Sequence, residues 1–197
     1  MAQIFDTLLL KGIRSGQMPA RSEDARNWFR DKAQETRATG QARPEQILRT
    51  SQNKVTRVMP GRMYHFFYDP KTKEQLPYYD MFPLIFMVKK APGGFYGLNM
   101  HYLPPALRAK LMDGLYEFSS DSRYDENTRL RLSYQMLSGA SKLRWYKPCF
   151  KRYLYNHVES KFIEIQPTEW DIALMLPTQR FAYAGKQKVW ADSRKVI

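Results

Sequence analysis

The sequence predicts an α+β protein with a small antiparallel sheet, either open or barrel-like, and helices on one side. Runs rich in aromatic and branched residues have the composition of β-strands. They lie at residues 63–68, 82–90, 95–103 and 161–166. Pro92, Gly93 and Gly94 separate two of these runs and predict a hairpin turn. Apolar residues at helical spacing flank the runs, so the predicted class is mixed.

Helical periodicity is clearest before and after the predicted strands. Residues 2–14 have the spacing of a short amphipathic helix, and Ser22 is positioned to cap a second helix that ends near residue 38. Leu107, Leu111 and Leu115 predict a helix that ends near residue 118. Further helical segments are predicted at residues 128–137, from residue 148 onward, and at residues 170–176.

The distribution of charged and aromatic residues divides the chain into three predicted parts. Residues 1–62 are basic and contain several helix breakers, so we expect helices followed by an extended basic arm. Residues 63–185 hold the aromatic runs and form the α+β core domain, and residues 186–197 form a basic C-terminal tail. An arm of this kind is typical of chains that lie along a polyanion or thread between subunits.

Composition bounds the class of protein. The 197 residues are 43% hydrophobic and 14% aromatic, which is enough apolar surface to offset the entropy of ordering the chain. Cys149 is the only cysteine, which excludes an internal disulfide and a metal site built on several cysteines. No segment has the pattern of a signal peptide or a membrane-spanning helix, so we expect a chain that is soluble when made and has no membrane partner.

An excess of cations is the strongest compositional signal. The chain holds 32 Lys and Arg against 19 Asp and Glu, which gives a net charge of +13. A field of that sign attracts polyanions, so the expected partner is nucleic acid or an acidic protein surface. Charge alone does not separate these two alternatives.

Three groups of residues are candidates for contact with nucleic acid or subunits. Cations recur through the N-terminal part, and cations alternate with rings near residues 142–152, a pattern that suits phosphate contacts, stacking or ordinary packing. These two groups are Arg21, Arg26, Arg30, Arg43, Arg49, Lys54, Arg57, Lys142, Arg144, Trp145, Lys147, Lys151 and Arg152. The third group is the apolar stripe of the first helix, which we expect to dock on a neighbouring subunit. It consists of Ile4, Phe5, Leu8 and Leu9.

The sequence contains no recognisable catalytic motif. His65, His101 and His157 are isolated, and neither a phosphate-binding loop nor a nucleophile motif occurs. Glu159 and Glu164 approximate the carboxylate pattern of metal-dependent nucleases, which keeps that activity as a remote alternative. We therefore predict a protein that is not an enzyme and uses no metal or cofactor.

Four blocks of sequence resemble virion proteins of T4-like and related contractile-tailed bacteriophages. The blocks are LKGIRSGQMPAR at residues 10–21, YDPKTK at 68–73, LPYYDMFPL at 76–84 and GGFYGLNMHYLPP at 93–105. Some proteins of this group are DNA end protectors, and others are structural.

The resemblance implies a non-enzymatic virion protein that is made in the host cytoplasm and sits in the neck, tail or baseplate. It implies binding to neighbouring virion subunits and, in a DNA end protector, to double-stranded DNA at the packaged end. The alternative is a structural tail or baseplate component that contacts no DNA.

Overall fold

A six-stranded antiparallel sheet lies at the centre of the computed structural model, which describes residues 4–17, 22–36, 42–119, 134–140 and 144–196. The strands in these residues are β1 (Lys54–Val55), β2 (Met63–His65), β3 (Tyr79–Asp80), β4 (Leu84–Ala91), β5 (Gly94–Asn99), β6 (Phe150–Leu154), β7 (Phe162–Ile165) and β8 (Phe181–Ala182). The order across the main sheet is β1-β7-β2-β4-β5-β6, and β3 pairs separately with β8.

Helices precede, interrupt and follow these strands. The described α-helices are α1 (Ile4–Arg14), α2 (Glu23–Glu35), α3 (Pro44–Thr50), α4 (Pro105–Ser119), α5 (134–140), α6 (Trp170–Met175) and α7 (Lys186–Val196). The predicted α+β class with an antiparallel sheet is confirmed, because helices and antiparallel strands share the chain.

The two faces of the sheet are covered differently. Side chains alternate between faces along a strand, so Met63 and Phe86 join the large core that includes helical residues. Tyr64 and Met87 point the opposite way and belong to a second buried cluster. No residue of the described helices belongs to that second cluster, so the helices lie on one side, as predicted. We call the other side the aromatic face.

The sheet curls toward the aromatic face. Phe95 on β5 and Phe162 on β7 have ring centroids 5.8 Å apart, although β2 and β4 lie between their strands. Phe66 contacts both rings, at 5.9 Å and 5.0 Å. An isolated bridge joins Tyr68 to Val158 beyond the end of β6. The six strands nevertheless end in two free edges, β1 and β6, so the sheet is open and does not form a barrel.

Most predicted elements are confirmed with shifted boundaries. The predicted strands correspond to β2, β4, β5 and β7, and the first two helices and the Leu-rich helix correspond to α1, α2 and α4. The predicted cap of α2 is present, because the side-chain oxygen of Ser22 accepts a hydrogen bond from the backbone N of Ala25 at 3.1 Å. Within the helix predicted at residues 128–137, residues 128–133 lie outside the described residues and 134–137 are helical.

One prediction of local structure is wrong, and the structure adds detail to two others. The segment after residue 148 is not a helix, because Phe150–Leu154 forms β6 and pairs with β5. The basic arm expected between the first helices and residue 62 contains α3 and β1, and Ile47 of α3 is buried in the core. Residues 186–196 of the predicted basic tail form helix α7, in which Val189 is fully buried. In each case buried apolar side chains hold the segment in place, although the same segment also carries charged residues.

Both ends of the chain contribute to the large core. Phe5 on α1, Phe29 on α2 and Val189 on α7 are buried in the same cluster as Phe86 of the sheet. Side chains from all three predicted parts of the chain, which meet at residues 62 and 185, therefore pack in one core. The three-part division of the chain stays a prediction about which segments fold independently.

Candidate nucleic-acid interface

A cleft of about 630 Å³ opens beside the aromatic cluster and carries several cations. Its basic side consists of Arg57, Lys90 and Lys161. Its apolar side includes Val58, Tyr155 and Phe162. We call this site the basic cleft.

Antiparallel pairing brings the three cations together from distant parts of the chain. Because β1 pairs with β7, the residues that follow β1 lie beside those that precede β7, and Arg57 therefore shares a cleft with Lys161. Lys90 lies opposite Phe95 near the end of the β4–β5 hairpin. Since the sheet curls Phe95 onto Phe162, the hairpin end reaches the same cleft.

Within the described residues, no carboxylate neutralises the charges of the basic cleft. Arg57, Lys90 and Lys161 are exposed, and none of them forms an ion pair within the part of the chain that the structure describes. By contrast, Arg62 pairs with Glu164, and Arg180 pairs with a carboxylate on α3. No carboxylate is among the described residues that line the cleft. Three uncompensated cations around one concavity attract an anion more strongly than the same charges scattered over the surface.

Tyr155 gives the basic cleft an exposed aromatic ring. This side chain is 43% exposed, and its ring centroid lies 5.4 Å from that of Phe95. The backbone N of Tyr155 donates a hydrogen bond to the carbonyl of Gly93 at 3.0 Å, which ties the residue to the hairpin turn. A ring held in this way presents a face on which a sugar or base can pack.

Sequence reasoning identified Arg57 but missed Lys90, Lys161 and Tyr155. The signal for Lys90 is weak but present, because Lys89 and Lys90 end an apolar strand run shortly before a hairpin turn. Lys161 precedes an alternating strand in the same way. Their convergence depends on the pairing of β1 with β7 and on the curl of the sheet, for which the sequence gives no local sign.

Several predicted contact residues are exposed but do not line the basic cleft. Lys54 is on β1, and its Nζ donates to the carbonyl of Arg49 at 3.5 Å. Arg43 lines a separate depression next to α3, and Lys147 is exposed in the 3₁₀ helix that precedes β6. Arg152 is exposed on β6 and donates to the carbonyl of Pro92 at 3.0 Å. Lys151 is only half-buried and lies over the ring of Tyr102, with 4.3 Å between Nζ and the ring centroid.

Arg26 and Arg30 are not surface cations, contrary to the sequence prediction. They are 7% and 4% exposed, and both pair with Asp113 on α4. Arg30 also binds Asp171 on α6, with 2.7 Å between Nε and Oδ1. Asp113 on α4 is partly exposed and Asp171 on α6 is buried, and these two carboxylates balance the charges of the two buried arginines within the chain.

The predicted subunit-docking stripe is also internal. Ile4, Phe5 and Leu8 are 3–5% exposed and pack into the large core, and Leu9 is partly buried against it. The stripe therefore docks on the rest of its own chain. The large apolar side chains of α1 that remain exposed are Leu10 and Ile13, at 51% and 56%.

Four of the predicted contact residues cannot be located on this surface. Arg21 and Lys142 lie outside the described residues. Arg144 and Trp145 begin the 3₁₀ helix before β6, and the structure describes only their backbone.

Neither a metal-binding cluster nor a membrane-spanning helix is found among the described residues. They contain no group of three or more His, Cys, Asp or Glu side chains that could hold a metal ion. None of their helices combines the length and the apolar character needed to cross a bilayer.

The fold and this cleft define an α+β protein whose uncompensated cations gather at one end of an open, curled sheet. A family model described as phage T4 terminal DNA protecting protein matches residues 13–195, and the chain belongs to that family. The resemblance to DNA end protectors noted in the sequence is thereby confirmed. No curated protein and no solved structure matches the chain.

Proposed function

We propose that this protein binds the end of the phage DNA duplex and protects it by occupying it. The observation that carries the proposal is the family match across residues 13–195. Protection by occupancy requires no bond to be made or broken, which agrees with the absence of a catalytic motif from the sequence.

We assign the basic cleft to the DNA backbone. Cations that displace condensed counterions supply much of the affinity of a protein for duplex DNA, and they do so best when no internal carboxylate already neutralises them. Arg57, Lys90 and Lys161 meet that condition. Arg152 lies at the same hairpin turn and could bind a further phosphate.

An exonuclease assay on a linear duplex tests the proposal. We expect the protein to slow digestion from the ends, and we expect its affinity for the duplex to fall steeply as salt rises. Replacing Arg57, Lys90 and Lys161 by Glu should abolish protection. The same variant should make the negative slope of log affinity against log salt shallower by about 0.9 for each phosphate that the protein no longer neutralises.

The matched control reverses three exposed cations on the helical side: Lys11→Glu, Arg14→Glu and Lys110→Glu. It changes the net charge by the same amount and should retain most of the protection. An equal decrease in protection in both triple variants would contradict the assignment of the basic cleft to the DNA backbone. A wild-type protein that leaves digestion unchanged at low salt would overturn the proposed function itself.

We further propose that the protein acts in the virion, bound to neighbouring subunits of the neck, tail or baseplate. The support is the exposed pair Leu10 and Ile13 on α1, which offers apolar surface next to Lys11 and Arg14. Locating the chain in a map of the intact particle tests this part, and particles without the chain would contradict it. The purely structural alternative predicts the same location but no affinity for DNA.

The nuclease alternative makes a different prediction. It requires cutting that depends on Mg²⁺ and is lost in Glu164→Ala. Glu164 is paired with Arg62, so its carboxylate already has a partner in the folded protein.

A further inference from the structure

A second cleft, of about 530 Å³, opens along the free edge of β6. Its walls are rich in tyrosine: Tyr78 and Tyr79 are partly exposed, whereas Tyr68, Tyr102 and Tyr153 are buried. We call it the tyrosine cleft. Its volume is in the range of about 300–1,000 Å³ that is typical of sites for small ligands.

Cations border the tyrosine rings. Lys71, Lys151 and Arg152 line the cleft, and none of the three forms an ion pair within the described residues. Lys151 lies over the ring of Tyr102 and is half-buried. Burial lowers the pKa of Lys151, because desolvation disfavours its charged form, so an anion bound beside it would relieve that cost.

The one carboxylate among the described lining residues, Asp80, is fully engaged in the protein. One of its oxygens accepts from Asn99 Nδ2 at 3.1 Å and lies 2.7 Å from His101 Nδ1. The other accepts from the backbone N of Phe82 at 3.2 Å and of Arg180 at 3.4 Å. Asp80 therefore holds the floor of the cleft together and does not neutralise the cations at its rim.

The tyrosine cleft and the basic cleft are neighbours. Leu154 lines the tyrosine cleft, and the residues that follow it, Tyr155 and Val158, line the basic cleft. The bridge between Tyr68 and Val158 fixes this dividing segment. A DNA strand that leaves the basic cleft thus has the tyrosine cleft directly beside it.

Aromatic rings beside unpaired cations are the chemistry that binds an unstacked nucleotide, since the base packs on a ring and the phosphate meets a cation. Inside a duplex the base faces are covered by neighbouring base pairs, and they become available only at an end. We propose that the tyrosine cleft holds the unpaired terminal nucleotide of a DNA end whose duplex lies on the basic cleft. This inference rests on the proposed function and adds the feature that would distinguish an end from the interior of a duplex.

Two hairpin-closed duplexes of equal length test the inference. One has a blunt end, the other carries two unpaired nucleotides at that end, and fluorescence anisotropy measures the affinity of each. The wild-type protein should bind the extended end about tenfold more tightly, as expected for one stacked base. Tyr79→Leu and Lys151→Gln should each lose that preference while their affinity for the blunt duplex changes by less than about twofold.

Tyr79→Phe is the matched control, because it keeps the ring and should keep the preference. Melting temperatures close to wild type would establish that the variants are folded. Equal binding of both duplexes by the wild-type protein would overturn the inference and leave the proposed function intact, and binding of neither duplex would overturn both. Displacement of the extended duplex by an equimolar mononucleotide would assign the cleft to free nucleotides and overturn its role at DNA ends.

Discussion

His65 and His101 are fully buried beside each other, with ring centroids 5.7 Å apart. Burial is the main cause that lowers the pKa of each imidazole, and repulsion between the two protonated rings lowers the pKa of His65 further. Asp80 favours the protonated form of His101, but desolvation outweighs it. Both rings therefore stay neutral in the folded protein over a pH range in which unfolded histidines take up protons.

This pair predicts a loss of stability in mild acid. Below the unfolded pKa of about 6.5 the unfolded state binds more protons than the folded state, so the free energy of unfolding falls as pH falls. Each histidine that stays neutral should cost about 1.4 kcal/mol in total between pH 7.5 and 5.5, and the slope should approach about 1.4 kcal/mol per pH unit only below that range. Urea titrations from pH 7.5 to 5.5 measure it, and His65→Gln should give a shallower slope. Identical slopes in the two proteins would contradict this account.

At the scale of elements, the packing of α2 on α6 depends on a buried ion pair between Arg30 and Asp171. Both side chains are less than a tenth exposed, at 5% and 7%. Arg30→Met would leave Asp171 buried without its partner, which should cost about 3 kcal/mol or more. The double variant Arg30→Met with Asp171→Leu should recover most of that loss, because both buried charges are then gone.

Denaturation by urea measures these changes, and Lys32→Met on the same helix is the control. Lys32 is only partly buried and pairs with Glu35, so its replacement should change stability by no more than about 0.5 kcal/mol. A single Arg30→Met variant as stable as wild type would contradict the assignment of Arg30 to the core. Folded Arg30→Met protein should keep its affinity for DNA.

Comparison of the strands shows which of them local sequence patterns can predict and which they cannot. β4 and β5 were predictable because a long apolar run, a turn with Gly93 and a second run give a local hairpin signal. β6 was not, because Phe150, Leu154 and His157 fit one face of a helix as well as they fit a strand, and only pairing with β5 decides between the two. The basic cleft was not predictable for the same reason, because its three cations come from separate segments of the chain: one follows β1, one lies near the end of β4 and one precedes β7.

The whole molecule is held together by one large core that takes side chains from both ends of the chain. Phe5 and Leu8 of α1 and Val189 of α7 are buried with the helix-facing side of the sheet. The packing of the helices agrees, since α1 lies against α2 and α6. The basic N-terminal segment thus contributes apolar burial as well as charge, which a composition count does not reveal.

This shared core predicts that the chain unfolds as one unit. Circular dichroism and the fluorescence of Trp28, Trp170 and Trp190, which lie on three different helices, should give coincident urea transitions. A fragment of residues 63–185 should fail to fold cooperatively, because it would expose the surfaces that α1, α2 and α7 cover. The three-part division of the chain predicts the opposite: a cooperative fragment and an earlier transition for the N-terminal helices. Two separate transitions, the first reported by Trp28, would therefore favour the division. The shared core would then be an interface between units that fold by themselves.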